Sequence, residues 1–471
     1  MKPTLGNLLL FFAFAFIAIM SKNFVLSPLA VVVVVSGLFM LWRPNSSPIL
    51  LFIFGYQWLQ VSTKLFRANL LGLDVDELSQ FGGQLSVAIV LSLVGLLCLA
   101  MGMRFGVGSA RAHDVSALLE DALTRPPLFW LKLYIAALLI ATVAQLGARA
   151  VPALSQPLLA VATLKWAFYW IFTYIAFARP DGLRELWVIV FFVELALGFG
   201  GYFSEFRTTL VITMLALIPS GLKFNVSRII SLAGVCALTL GLGVVWTAIK
   251  PEYREFLSQG ERAQVVYVTY GDSLAYAASL VGALDNAALA KAANDLAERI
   301  SYVDFFANAI DHVPAIVPHE NGAIWWDALI RPFMPRLFFP DKSVIDDSDR
   351  TTEFTGLRVA TADEGASVSL GYMAEAYIDL GPYFMMVPIF LLGWGLGKFY
   401  RWMSSYPSTR GVLGIGLATA TLYPAAQFET SITKLIGGLV VTMLLCWIAA
   451  RWGAPRFYRR TRRTVPVAIK G

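Results

Sequence analysis

The stretch LSVAIVLSLVGLLCLAMGM, residues 85–103, contains no charged side chain and is apolar almost throughout. A helix that crosses the hydrocarbon core of a bilayer, roughly 30 Å thick, needs about 20 such residues. The whole chain agrees, since 58% of its 471 residues are hydrophobic and 14% are charged; soluble proteins have about 45–50% and about 25%. The sequence therefore predicts an all-α polytopic membrane protein.

Eleven further stretches have a similar length and character, so about 12 transmembrane helices are predicted. The twelve stretches begin near Leu5, Leu26, Ile49, Leu85, Leu128, Leu158, Leu186, Thr208, Ile229, Tyr383, Gly411 and Leu435. The signals at Ile49 and Thr208 are the weakest. The first stretch is as apolar as a signal peptide, but no A-x-A cleavage site follows it, so we interpret it as an uncleaved helix.

Charge divides the chain unevenly. Residues 250–380 hold 20 of the 31 acidic residues and 10 of the 37 basic ones, a formal charge of −10. Because Lys and Arg concentrate in cytoplasmic loops, the basic remainder predicts both termini in the cytoplasm and the acidic segment outside. The predicted organisation is helices 1–9 in residues 1–249, a large extracytoplasmic loop with short helices in 250–381, helices 10–12 in 382–452, and a basic cytoplasmic tail in 453–471.

The loop shows several local patterns. Apolar residues in 283–310 recur at spacings of three and four, which predicts one helix. Five prolines between residues 313 and 342 predict turns and extended backbone. The polar stretch 341–364 is predicted to be mobile. The three cysteines, Cys98, Cys236 and Cys446, all lie in predicted spans, and we assign them to packing.

The most distinctive dozen residues are RPFMPRLFFPDK, residues 331–342. Prolines stiffen this backbone, so cationic side chains are held at a small cost in entropy. The planar fork of Arg matches phosphate oxygens, and Lys adds a point charge. The strip therefore suits a polyprenyl-diphosphate headgroup at the membrane surface. Non-specific contact with lipid headgroups is an equally good interpretation of the same residues.

With its neighbours, this strip makes residues 298–397 resemble the Wzy-type O-antigen polymerases, which polymerise oligosaccharide repeat units. The matching residues are Glu298-Arg299, Gly322 before Trp325, the strip at 331–342, GYMAEAYIDLG at 371–381, and Gly393 with Gly397. The resemblance implies a GT-C-like protein of the bacterial inner membrane with a large periplasmic loop.

The resemblance also implies an activity. It is a glycosyltransferase that joins undecaprenyl-diphosphate-linked repeat units into an O-antigen or exopolysaccharide at the periplasmic face, without a metal or another cofactor. The implied partners are the lipid-linked donor and acceptor, membrane lipid and, as an open possibility, a chain-length regulator. Nucleic acid is not expected, because the inner loops and the tail account for the net charge of +6.

Such a transfer needs cations for the diphosphate leaving group and a base for the acceptor hydroxyl. The candidate diphosphate-binding residues are Arg207, Arg299, Arg331, Arg336, Lys342 and Arg254. Glu375 is the first candidate for the base, and His312, His319 and Glu320 are alternatives. Glu375 is equally suited to pair structurally with an arginine.

Three further features bear on the site. Arg207 follows a glycine-rich turn, which is typical of backbone that lines a protein cavity; a side chain paired with Glu205 is the alternative. The acidic stretch 346–349 superficially resembles a metal motif, but no metal site is predicted, because arginines can neutralise the diphosphate. Lys165 and Glu194 fall at similar depths in neighbouring spans and are predicted to form a structural pair.

Two alternative functions remain open. An O-antigen ligase, or another transferase that uses lipid-linked sugars, needs the same cationic site. A multi-pass carrier also has about twelve spans, but such carriers usually divide into two six-helix halves. The predicted arrangement here is nine spans, a long outer segment and three more spans.

Overall fold

The computed structural model of the chain describes residues 21–43, 47–108, 125–199, 206–220, 226–260, 267–335, 338–339, 342, 346–361, 367–406, 409 and 411–456. All regular secondary structure in these ranges is helical. Their α-helices, numbered here in chain order, are α1 (Leu26–Leu41), α2 (Ile49–Leu71), α3 (Leu85–Val107), α4 (Pro127–Ala150), α5 (Ser155–Thr163), α6 (Lys165–Ala178), α7 (Arg184–Phe199), α8 (Phe206–Leu217), α9 (Val226–Ser258), α10 (Tyr270–Gly282), α11 (Asn286–Ile300), α12 (Val303–His312), α13 (Ala323–Ile330), α14 (Asp347–Thr355), α15 (Tyr372–Phe384), α16 (Met386–Ser405), α17 (Val412–Leu422) and α18 (Ile432–Ile448).

Several of these helices are suited to a membrane. Within the described ranges, five stretches are long and apolar enough to cross one, namely Ile49–Leu71, Leu85–Val107, Pro127–Ala148, Ser155–Ala178 and Ile432–Arg456. The number rises to seven if the bent pairs α10–α11 and α15–α16 each count as one span. The chain is therefore an all-α protein with helices that suit a membrane. The predicted span near Leu5 lies outside the described residues.

An extensive contact in the bundle joins α3 and α16. A Cβ atom at Gly102 or Gly106 would collide with backbone of α16, and one at Gly393 or Gly397 would collide with backbone of α3. Small residues four apart on both helices thus let the two backbones touch, which is a common way to join helices in lipid. Gly393 and Gly397, part of the sequence resemblance, have this packing role in the fold.

The predicted single helix at 283–310 is wrong. The structure has two helices there, α11 and α12, separated at Ser301, where ψ is 77°. The carboxylate of Asp285 starts α11 by accepting a hydrogen bond from the amide of Ala288. The break lets Asp304, near the start of α12, contact Lys64 on α2. A pattern of apolar spacings does not reveal this ion pair.

Two other loop predictions are corrected by short helices. Residues 323–330, between the prolines, form α13 rather than a turn or an extended strand. Residues 347–355 form α14, whose first turn is capped by the Asp346 carboxylate at the amide of Ser348. Its buried residues include Asp347, Thr351 and Phe354. This part of the stretch predicted to be mobile is therefore an ordered, half-buried helix.

The ends of the predicted outer loop fall within helices. Helix α9 continues across residues 249 and 250 to Ser258, with Pro251 inside it. At the other end, Gly381 has φ +74° and ψ 178°, and it marks a kink near the end of α15. Helices α15 and α16 bend by 117° relative to each other. The outer segment thus enters and leaves the bundle through helical residues.

Candidate functional site

A gap in the helical structure lies between α17 and α18. Residues Tyr423–Ala426 form a 3₁₀ turn, and α-helix resumes only at Ile432. We call residues 423–431 the break. The gap contacts the membrane-suited helix α2. Non-helical backbone at such a position needs partners from the protein, because lipid offers none.

Side chains of α2 and α15 supply these partners. Gln57 donates to the carbonyl of Ala425 at 2.7 Å, and the amide of Phe428 donates to the side-chain oxygen of Gln60 at 3.1 Å. The hydroxyl of Tyr372 donates to Gln57 at 2.7 Å. Two glutamines three residues apart in an apolar helix therefore hold the break in place.

Arg207, at the start of α8, lies against this break. Its guanidinium donates to the hydroxyl of Tyr56 at 3.1 Å and lies over the Tyr56 ring, 5.9 Å from the centroid. Tyr423 and Glu429, both in the break, are its other electrostatic neighbours. Gln60 donates to Glu429 at 2.7 Å. The arginine thus shares a half-buried pocket of phenols and one carboxylate. Glu205, its alternative partner from sequence, lies outside the described residues.

Glu375 meets the other end of the break. Its side chain is 1% exposed, and one carboxylate oxygen accepts from Arg350 at 3.1 Å. The other accepts from the amide of Ile432 at 2.5 Å, which is an otherwise unpaired group in the first turn of α18. With both oxygens engaged, Glu375 holds the start of α18 in place. Its burial, more than these two hydrogen bonds, limits the access of a substrate to this carboxylate.

Asp347 and Lys434 extend this end of the site toward solvent. The Lys434 ammonium is 2.6 Å from a carboxylate oxygen of Asp347 and 3.0 Å from the hydroxyl of Ser367. The Lys434 side chain is 54% exposed, whereas that of Asp347 is 2% exposed. The carboxylates of Glu375 and Asp347 both lie at the start of α18, where they interact favourably with the positive end of the helix dipole. Lys434 adds an accessible cation there.

The alternative bases, His319 and Glu320, contact α15 further along that helix than Glu375. His319 and Glu320 contact the backbone carbonyl of Ile378, through the imidazole at 3.0 Å and through the Glu320 amide at 3.2 Å. Ile378 is three residues beyond Glu375, a rise of about 5 Å along a helix. These two residues therefore neighbour the site without contacting the break.

Two of the other predicted cations contact their own segment. Arg331 pairs with Asp327 at 2.8 Å, and the Lys342 ammonium donates to the carbonyls of Arg331 and Met334 at 2.7 and 3.0 Å. Arg254 is half-buried on α9, and its neighbour Tyr253 packs in one hydrophobic cluster with Phe206.

Two predicted cations are not fully described. Arg336 lies outside the described residues, and of Arg299 only the backbone, near the end of α11, is described. In the described ranges, no three His, Cys, Asp or Glu side chains come together as metal ligands. Within the stretch 346–349, Asp346 caps α14 and Asp347 faces Lys434.

Lys165 and Glu194 do meet. The ammonium of Lys165 is 3.0 Å from Glu194, and both side chains are buried. Tyr134 donates a second hydrogen bond to the same carboxylate, and the Lys165 ammonium lies 4.4 Å from the centroid of the Trp166 ring. The pair joins α6 to α7 away from the break.

Sequence reasoning selected Arg207 and Glu375 and missed their surroundings. The residues it missed are Tyr56, Gln57, Gln60, Asp347, Arg350, Glu429 and Lys434. The available signal was a set of polar residues in the weak span at Ile49. Contacts with the break join residues far apart in sequence, such as Gln57 and Ala425, and local patterns do not show them.

Comparison with known proteins places the chain in a family. No curated protein and no solved structure matches it. One family model, described as a domain of unknown function (DUF8712), matches residues 126–405, which is more than half of the chain. The match includes α4 to α16 and therefore Arg207, Arg350 and Glu375. The chain belongs to the DUF8712 family.

Proposed function

We propose that this chain is a polymerase that joins undecaprenyl-diphosphate-linked repeat units into an O-antigen or exopolysaccharide. In this proposal it crosses the bacterial inner membrane about twelve times with both termini in the cytoplasm. Residues 250–381 then face the periplasm, where the lipid-linked donor and acceptor meet.

The observation that carries the proposal is the pairing of cations with carboxylates around the break. Arg207 lies at one end, and Lys434 with Arg350 lies at the other. Departure of a polyprenyl diphosphate leaves negative charge on its oxygens, and pre-positioned cations stabilise that charge most effectively in a site that excludes water. The half-buried guanidinium of Arg207 suits this role.

The acceptor hydroxyl needs a proton acceptor. Glu429 lies beside Arg207 and is partly exposed, so it is accessible to a substrate. Glu375 is the alternative base, but it is buried, with its oxygens accepting from Arg350 and Ile432, and is therefore less accessible than Glu429. We therefore assign proton transfer to Glu429 and positioning of α18 to Glu375. His319 and Glu320 neighbour this arrangement.

The test is complementation of a strain that lacks the protein, with surface glycan length read on a gel. Wild type should give a ladder of long chains. Arg207→Ala and Glu429→Gln should give single repeat units at matched expression, and Arg358→Ala, an exposed arginine of the same outer segment, should keep the ladder. Long chains in the strain without the protein, or in both site variants, would overturn the proposal.

The break also favours a second candidate, because carriers bind substrates at interrupted membrane helices. The same strain separates the candidates. Loss of a polymerase leaves single repeat units attached at the surface. Loss of a carrier or of an O-antigen ligase leaves no attached repeat unit at all. The second pattern would favour those alternatives.

A further inference from the structure

Apart from Asp327, helix α13 is apolar on all sides. Ile324, Trp325 and Ala328 are buried, and the helix packs along α18. On its other side, Trp326 is 66% exposed and Leu329 is 48% exposed. A helix that is apolar all round belongs in a protein core or a membrane. This one has protein on one side only.

The charge of this helix is neutralised locally. Asp327 is its only charged residue, and Arg331, four residues later, pairs with it at 2.8 Å. A pair at this spacing adds only a few tenths of a kcal/mol to a helix in water. In a medium of low polarity, an unpaired carboxylate would be far more costly. The pairing therefore lowers the cost of placing α13 in lipid.

At both ends of the segment formed by α13 and the turn after it, charged side chains form hydrogen bonds with backbone groups. The Asp379 carboxylate, itself fully buried, accepts from the amides of Gly322, Ile324 and Trp325 at 2.8, 3.2 and 3.0 Å. At the other end, Lys342 donates to two carbonyls of the turn that follows α13. Water satisfies such groups on a surface helix, but hydrocarbon offers no partner.

The apolar surface continues beyond α13 and next to a span. Phe333 and Phe338 are 73% and 74% exposed, and the turn Arg331–Phe333 also contacts α18. Helix α18 belongs to the stretch Ile432–Arg456, which is long and apolar enough to cross a membrane. The exposed aromatic side chains therefore lie beside a helix with its own exposed apolar residues, Leu444 and Trp447.

We propose that α13 and the turn Arg331–Phe333 are inserted in the bilayer beside α18, with Trp326, Leu329 and Phe333 in contact with lipid acyl chains. The partner of this surface is the membrane itself. Asp379 and Lys342 provide hydrogen-bond partners for the backbone groups at the two ends of the inserted segment. This assignment is independent of the polymerase proposal and holds for a carrier or a ligase as well.

Spin-label accessibility in vesicles tests the proposal. Cys98, Cys236 and Cys446 are replaced by alanine, and single cysteines are introduced by Trp326→Cys, Leu329→Cys and Phe333→Cys in the full-length chain. Each labelled variant is reconstituted in phosphatidylcholine vesicles. Collision rates with oxygen, which concentrates in lipid, and with a water-soluble nickel chelate are then measured.

Two reference positions calibrate the result. Leu444→Cys on α18 represents lipid, and Glu353→Cys on the exposed side of α14 represents water. The three test positions should give an oxygen-to-nickel ratio close to that of Leu444→Cys. A ratio like that of Glu353→Cys would overturn the proposal, and so would low accessibility to both reagents, which indicates cover by protein. If Trp326→Cys fails to fold, Leu329→Cys and Phe333→Cys still decide.

Discussion

Replacing Lys64 with methionine should release α12 from the membrane bundle. The Lys64 side chain is 2% exposed, and its ammonium lies 2.9 and 2.7 Å from the two carboxylate oxygens of Asp304. Removing one partner of a buried ion pair costs about 3–5 kcal/mol, because the other charge stays buried. Asp304 would keep the amide of Gln80, at 3.1 Å, so we take the lower value. A loss of about 3 kcal/mol raises the open population roughly 100-fold.

Hydrogen exchange of the α12 amides, measured in lipid nanodiscs at neutral pH, reports this opening. Exchange in Lys64→Met should be about 100-fold faster than in wild type, because exchange follows the population of the open state when closing is fast. Arg67→Ala is the matched control, because Arg67 pairs with Glu298 where both side chains are partly exposed. Exposed pairs contribute about 0–1 kcal/mol. Equal exchange in the two variants would refute the reasoning.

The effect should depend on pH. Burial raises the pKa of Asp304, and the neighbouring Lys64 opposes that rise. A carboxyl with a raised folded-state pKa contributes stability that is complete below its unfolded pKa and is lost as pH rises through the folded pKa. Without Lys64 the folded pKa is higher still. The excess exchange of Lys64→Met over Arg67→Ala should therefore shrink as the pH falls from about 7 toward about 5, and Asp304→Leu in the same background should restore protection.

Two further substitutions test the packing of the bundle. Gly371→Ala should reduce the monodisperse fraction after detergent extraction, because φ is +83° there and a Cβ would lie 2.6 Å from the carbonyl oxygen of Phe428. The backbone strain alone costs about 1–3 kcal/mol. The control Gly395→Ala should be tolerated, because a Cβ there would meet open space. Lys165→Met should lower the thermal stability, because the buried Glu194 carboxylate loses its cationic partner, at a cost of about 3–5 kcal/mol. Glu194→Gln in the same background should recover most of the loss.

The fold class followed from the sequence because it depends on local composition. An uninterrupted apolar run such as residues 85–103 can be stable only in lipid or in a core, and the structure has α3 there. Glycines 102, 106, 393 and 397 were visible as well. Their contact was not, because it joins α3 to α16 across nearly 300 residues of chain.

The candidate site was predicted only in part, for the same physical reason. Arg207 stood out because it follows a glycine-rich turn, and Glu375 stood out within a motif-like stretch. Neither feature predicts that both residues meet one break. The position of the break depends on hydrogen bonds from α2 and α15, and each joins elements distant in sequence. The arginine-rich strip looked like a phosphate site, but its Arg331 and Lys342 contact their own segment.

Helix α2 links the break to the outer segment, and its sequence explains how. Gln57, Gln60, Lys64 and Arg67 follow one another at spacings of three, four and three, so they form one polar face on an apolar helix. These residues made the span at Ile49 one of the two weakest by composition. Gln57 and Gln60 hold the break, whereas Lys64 and Arg67 hold α11 and α12. Gln57 and Lys64 are seven residues apart, about 10 Å along a rigid helix. Helix α2 therefore fixes the distance between the break and the outer helices, because one polar face contacts both.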